Sequence, residues 1–167
     1  MSAGVSIRAA TPADRGAIRT VEEAAFGRKD EALLVDALVA AGDAVLELVA
    51  ETGGRIVGHI LFSRLTVERP QGGFAAVALA PLAILQDVQR QGIGAALVEE
   101  AHHRLRAAGE SLSVVLGDPA YYGRFGYARA AAAGFDSDYQ GEALQALAWG
   151  EAPGDGRLAY APAFSGL

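Results

Sequence analysis

Short runs of branched apolar residues alternate along the chain with stretches whose apolar residues recur at helical spacing, and this alternation predicts the order of the elements. SIRAA is a short first strand ending at TPAD, where Thr11 can cap a helix, Pro12 suits its first turn and Asp14 completes a box-like pattern. A helix from Asp14 to about Phe26 and a second from Asp30 to about Ala41 follow, the second stopping before Gly42. DAVLELVAETGGRIVGHILFSRLTV reads as a β-hairpin about a Thr-Gly-Gly-Arg turn. FAAVALAPLAIL is a third run with Pro81 inside it. Proline has no N–H for the ladder, so a bulge or a loss of pairing is expected there. From Gly92 onward, Ile93, Leu97, Ala101, Leu105 and Ala108 share one helical face, with Glu99, Glu100, His103 and Arg106 turned elsewhere, until Gly109 ends the helix. SLSVVL is a further strand, DPAYYGRFGY a turn and short helix closing at Gly126, EALQALAW a strand despite helix-favouring letters, and APGDG a loop.

The unit of strand, glycine-led helix and strand should cross over right-handedly, which makes its two strands parallel, whereas the preceding hairpin is antiparallel. The sheet is therefore expected to be mixed, and the class α/β in its centre and α+β in outline. No repeat or linker divides the chain, so one domain over residues 1–167 is expected.

Composition narrows the function more than it narrows the fold. Half of the residues are apolar, which favours a packed core over disorder. A formal charge of −6 argues against a general nucleic-acid binder, which needs a basic face for phosphates. There is no cysteine, which excludes disulfides, thiolate metal sites and a cysteine nucleophile. The first residues carry no apolar stretch of signal-peptide length, and VALAPLAIL is too short to span a bilayer, so a cytoplasmic protein without a membrane partner is the expectation.

The candidate chemistry begins in LAILQDVQRQGIGAAL, residues 82–97. A helix N-terminus leaves its first amides without intrahelical partners, and the aligned peptide dipoles make that end partly positive. Amides of residues 90–95 can therefore converge on an anion, while Gly92 and Gly94 let a phosphate approach the backbone and Arg90 adds a charge-assisted contact. A tight turn with close helix packing would explain the same two glycines. A dinucleotide fingerprint wants a third glycine where Leu97 stands, and no Gly-Lys-Ser or Gly-Lys-Thr triplet for a P-loop occurs.

Gln89-x-x-Gly92-x-Gly94 resembles the acetyl-CoA signature of the Gcn5-related N-acetyltransferase (GNAT) superfamily. PLAILQDVQRQGIGAAL, VVLGDPAYYGRFGY and AYAPAF, in that order, resemble its YhbS-like bacterial branch, from about residue 5 to the C-terminus. The resemblance implies a splayed, mixed sheet of six or seven strands with about four helices and acetyl-CoA held between two parallel strands, without a metal. It implies that Leu82, Ala83 and Ile84 run along the pantetheine arm, that Gln89, Arg90, Gln91, Gly92, Ile93, Gly94 and Ala95 hold the diphosphate, and that Pro81 falls at the bulge. The common pattern's frequent Arg-Gly-Lys-Gly is Gln-Arg-Gln-Gly here, which reduces two basic side chains to one.

Acetyl transfer then needs an oxyanion donor, which the resemblance puts at a backbone N–H around Ile84, and a proton for the leaving thiolate. Tyr122 stands four residues before Gly126 and so matches the superfamily's Tyr-x-x-x-Gly-Phe pattern, which makes it the expected general acid, with Tyr121 as the neighbour that could replace it. Asp118 and Pro119 shape the entry to that loop; the asparagine frequent upstream of the tyrosine in relatives is absent. No general base is fixed: Glu22 and Glu23, more simply read as solvated, His59, more simply read as a satisfied sheet residue, and water all remain open. His102 and His103 are adjacent on a helix, diverge, and are read as surface residues. The expected acceptor is the primary amine of a small molecule or peptide, and a homodimer is compatible with the pattern. A non-catalytic acyl-CoA-binding module is the rival, distinguished by its having no use for Tyr122.

Overall fold

The computed structural model describes residues 4–166. Across them, eight strands form one mixed sheet: β1 (Val5–Ala9), β2 (Ala44–Thr52), β3 (Arg55–Glu68), β4 (Phe74–Ile84), β5 (Leu112–Leu116), β6 (Phe135–Asp136), β7 (Leu144–Ala148) and β8 (Gly156–Tyr160). Three long helices, α1 (Arg15–Phe26), α2 (Asp30–Ala40) and α3 (Ile93–Ala107), are joined by the four-residue α4 (Pro119–Tyr122) and α5 (Arg129–Ala132). The strand order is β1-β2-β3-β4-β5-β7, with β8 beside β3 and β6. The mixed α/β class expected from the pattern is present, with short β6 and β8 extending the sheet beyond the strands that the apolar runs announce. None of the described helices is long and apolar enough to cross a membrane.

The hairpin of β2 and β3 is antiparallel and closes through Gly53 and Gly54, the pair in the expected turn. β2 pairs with β3 only as far as Ser63, and β8 takes over the same edge from Leu65 to Glu68. Two-residue alternation sends Val49 and Leu61 to the face covered by Ile18 of α1 and Leu34, Val35 and Leu38 of α2. Leu48, Ala50, Ile60 and Phe62 face the other way, in the cluster with Leu97, Val98, Ala101 and Leu105 of α3. Ala108, expected on that buried face, lies beyond the last turn of α3 and is exposed.

Two features of β4 open the sheet. Leu79 pairs with Phe62 and Leu82 with Ile60, so Ala80 and Pro81 together oppose the single residue Leu61, the bulge expected at the proline. On its other edge β4 pairs in parallel with β5 only from Val77 to Leu79, although β4 continues to Ile84 and β5 to Leu116. Past Leu79 and Val115 the two strands part.

Candidate active site

The cleft beside the parted strands has a volume of about 630 Å³ and is lined by Leu82, Ala83 and Ile84, by Val88, Gln89, Arg90, Gly92, Ile93, Gly94 and Ala95, and by Ala25, Phe26, Tyr121 and Arg124. Every residue expected to hold the cofactor is on that wall except Gln91, which stands in the turn between Arg90 and Gly92.

Backbone direction explains how β4 can serve a ligand. The N–H of Leu85 donates to the carbonyl of Val57 on β3 at 2.9 Å. Polar groups alternate sides along a strand, so the amides of Leu82 and Ile84 point away from β3, into the opening. The Ile84 carbonyl is taken by the side-chain amide of Gln89 at 3.1 Å. Gln89 thus anchors the turn to the strand through its side chain, while its own N–H closes the preceding turn by donating to the Gln86 carbonyl at 3.3 Å.

The two glycines act differently. Gly92 caps α3 at φ 82°, a left-handed conformation that L side chains rarely adopt, and nothing lies within 4 Å of where its Cβ would be. Arg90 is also left-handed, at φ 65°. The first α-helical bond runs from Ala96 N–H to the Gly92 carbonyl, so the amides of Ile93, Gly94 and Ala95 belong to the first turn, ahead of the regular ladder. Gly94, by contrast, makes room for a close contact: a Cβ there would meet the Tyr121 hydroxyl at 2.5 Å, so the phenol would have to shift. Such a cradle of first-turn amides, absent side chains and one adjacent arginine suits a diphosphate.

The tyrosines of YYGRFGY separate along the cleft. Asp118 caps α4 by accepting from the N–H of Ala120 at 2.9 Å. Tyr121 lines the cleft at the glycine end. Tyr122 is not among the lining residues; its ring packs against Gly117, the residue after β5, and edge-on to Tyr121 and Tyr127. Burial, with Tyr121 adjacent, pushes the Tyr122 phenol up to about 12, so it stays protonated. Arg124, whose guanidinium lies 5.5 Å from the ring centres of both Tyr121 and Phe125, is a second basic group on the cleft. The sequence motif implied only one, because the chain supplies the other 34 residues later, from the tyrosine loop.

The base candidates are located away from this wall. Glu22 and His59 are both 0 % exposed, and neither they nor Glu23 line the cleft. His59 Nδ1 is 2.6 Å from Glu22 Oε2, its Nε2 is 2.7 Å from Glu47 Oε2, and Glu47 in turn pairs with Arg15. Glu22 is therefore not solvated as its helical position suggested; the hairpin histidine draws it into the core. Burial raises the Glu22 carboxyl, only partly opposed by His59. Burial pulls His59 down, but its two carboxylate partners outweigh that and raise it. Burial acts upward on Glu47 too, and the bonds from His59 and Arg15 hold it below the ordinary carboxylate range. Glu22 Oε1 is buried without a hydrogen-bond partner among the described residues.

His102 also departs from expectation. It is half-buried, with Nε2 2.9 Å from the Tyr127 hydroxyl, which lies 2.7 Å from Ser113 Oγ, and its ring meets Trp149 edge-on. Burial, helped by Arg106, lowers it to about 4, so it is a neutral tie between α3 and the sheet. His103 is exposed as read.

Comparison with known proteins bears on the same cleft. Residues 6–130 match the acetyltransferase (GNAT) domain family model. The chain is 39% identical over 116 residues to the uncharacterized N-acetyltransferase YjhQ of Escherichia coli K12, 68% of this chain but 64% of that protein, so the match spans less than two thirds of YjhQ. It is 36% identical to the E. coli K12 N-acetyltransferase YhbS over 75% of this chain and 74% of that one. Among solved structures, E. coli YhbS in complex with CoA superimposes with a TM-score of 0.87 at 31% identity, covering 99% of this chain and 94% of that one. A GNAT family acetyltransferase from Brucella melitensis in complex with acetyl-CoA gives 0.82 at 37% identity, covering 96% and 97%. Sequence motif, parted strands and relatives agree: the chain belongs to the GNAT family of acetyltransferases.

Proposed function

We propose that the chain is an acetyl-CoA-dependent N-acetyltransferase that acts on the primary amine of a small molecule or peptide. The observation that carries this reading is the continuity of one wall: the first-turn amides of Ile93, Gly94 and Ala95 stand on the same cleft as the outward-facing amides of Leu82 and Ile84. The first set suits a diphosphate and the second the amides of a pantetheine arm. The relatives solved with acetyl-CoA and CoA support the same occupant.

In the proposed reaction the neutral amine nitrogen attacks the thioester carbonyl carbon. A C–N bond forms, the C–S bond breaks, the nitrogen gives up one proton and the sulfur gains one, so the products are an acetamide and free thiol. An outward-facing N–H of β4, that of Ile84 or Leu82, stabilises the carbonyl oxygen as it gains charge. Tyr122 donates toward the sulfur: its ring abuts Gly117 where β5 ends, whereas Tyr121 stands over Gly94 at the phosphate end. Arg90 and Arg124 hold phosphate charge. The nitrogen's proton leaves through water, since Glu22, Glu23 and His59 are off the cleft wall.

Calorimetric titration with CoA, followed by thiol release from acetyl-CoA over a panel of amines, tests this. Binding with amine-dependent turnover is expected. Absence of binding at millimolar CoA overturns it, and binding without turnover on any amine makes the chain an acyl-CoA-binding module instead.

A further inference from the structure

On the side of the strand gap away from the glycine turn lies a smaller cavity of about 120 Å³. Its floor is β4 from Ala78 to Ala80, the first residue of the bulge, and the end of β5, Val114 to Leu116. Its remaining wall is aromatic: Tyr139, Tyr160 and Phe164. The cleft takes up the same strand at Leu82, so the two cavities lie on either side of Pro81 along β4, just past Leu79, where β4 and β5 come apart.

The three rings form a frame. Tyr139 and Tyr160 meet at 5.3 Å and 88°, Tyr160 and Phe164 at 5.6 Å and 61°, so neighbouring faces stand at steep angles. Among the described residues, no acidic or basic side chain lines this cavity. An ammonium left there would be desolvated without a counter-charge, which disfavours an acceptor carrying a second cationic group. The Tyr160 hydroxyl is buried and makes no hydrogen bond of normal geometry among the described residues, although Ser137 is close enough to act on it. Burial pushes that phenol up to about 12, so it remains a donor. The volume approaches that of the ~150 Å³ apolar cavity that accommodates benzene in an engineered protein.

We infer that this aromatic cavity is the acceptor site and that it selects a primary amine carried on one compact apolar ring, with no second charge and with one polar atom for the Tyr160 hydroxyl. The inference rests on the acetyltransferase reading, which it deepens by naming the acceptor class. The ring packs against Tyr139, Tyr160 and Phe164, and the neutral amine reaches the gap at Pro81 to form the C–N bond as the C–S bond breaks.

The test uses the full chain with acetyl-CoA and compares benzylamine and phenethylamine with putrescine and a lysine-bearing peptide. The ring amines are expected to exceed the others at least tenfold in kcat/KM. Phe164→Ala should raise the benzylamine KM about tenfold with CoA affinity within twofold of the parent. Tyr139→Ala, at an exposed position, should do so severalfold even if Phe164→Ala fails to fold. Calorimetric titration of benzylamine into CoA-saturated protein gives an independent readout. Benzylamine binding that Tyr139→Ala weakens supports the cavity even with no turnover, in which case it is the acetyltransferase reading that falls. Preference for putrescine or the peptide, or a benzylamine KM and affinity unmoved by either substitution, overturns the inference.

Discussion

The Tyr121 hydroxyl stands 2.5 Å from the point that a Cβ on Gly94 would occupy. A residue of the fourth helix therefore restricts what the third can carry, and the second glycine of the motif answers to packing as well as to the phosphate role proposed for it. Gly94→Ala should drive the phenol off the cleft wall and weaken CoA binding tenfold or more by calorimetry. Adding Tyr121→Phe removes the colliding oxygen, so the double variant should bind within about threefold of Tyr121→Phe alone. No recovery would mean that the backbone, not the tyrosine, senses the extra methyl.

Gly92 should behave differently. Nothing near its Cβ position would collide, but its φ of 82° costs an L residue about 1–2 kcal/mol. Gly92→Ala should lower the unfolding free energy by about that amount in urea titrations, whether or not CoA is present.

The two phenols can be separated kinetically. Tyr122→Phe should cut kcat about a hundredfold, the lower end for a lost general acid, with CoA affinity unchanged. Tyr121→Phe should act on CoA affinity and spare kcat. The reverse pattern would transfer the proton-donor role to Tyr121.

Buried charge along Arg15, Glu47, His59 and Glu22 fixes α1 to the hairpin. His59→Leu leaves Glu22 and Glu47 facing each other without the ring between them, and should destabilise the fold by about 3–5 kcal/mol in equilibrium unfolding. Glu22→Leu together with His59→Leu, which removes the innermost charges as a pair, should recover much of that loss. Equal losses in the single and double variants would show that the chain of charges itself, not its completeness, stabilises the fold.

His102 sets a pH signature of known sign. Its pKa in the fold is lowered to about 4 from an ordinary 6.5, so its contribution is complete above about pH 6.5 and is lost as pH falls through 4. The full contribution is up to about 3 kcal/mol. His102→Gln should flatten the decline in urea midpoint between pH 6.5 and 4; an undiminished slope would assign that decline to other groups. His59 has the opposite sign: raised in the fold, it stabilises at low pH and loses that contribution as pH climbs through its folded value.

What was legible in the sequence follows from range. The glycine turn, Pro81 and the helix caps depend on backbone chemistry within a few residues, and the residues themselves announce it: Gly92 is left-handed, and Ala80 with Pro81 forms the bulge. The strand in EALQALAW was legible only as part of an order of elements, since its letters favour a helix and pairing with β5 overrides them. Glu22 looked solvated because a single helix cannot show that His59, 37 residues away, will meet it. Arg124 and the Tyr139, Tyr160 and Phe164 frame were hidden for the same reason, as each joins its cavity only when distant segments close on the sheet.

The edge that β8 takes up beside β3 has a wider consequence. The family model ends at residue 130, whereas Tyr139, Tyr160 and Phe164 all come later, on β8 and the segments on either side of it. On the proposed assignments, donor handling and acceptor choice are written in successive stretches of chain. Exchanging the last 30 or so residues for those of a relative should retarget the enzyme to another amine while leaving its acetyl source unaltered.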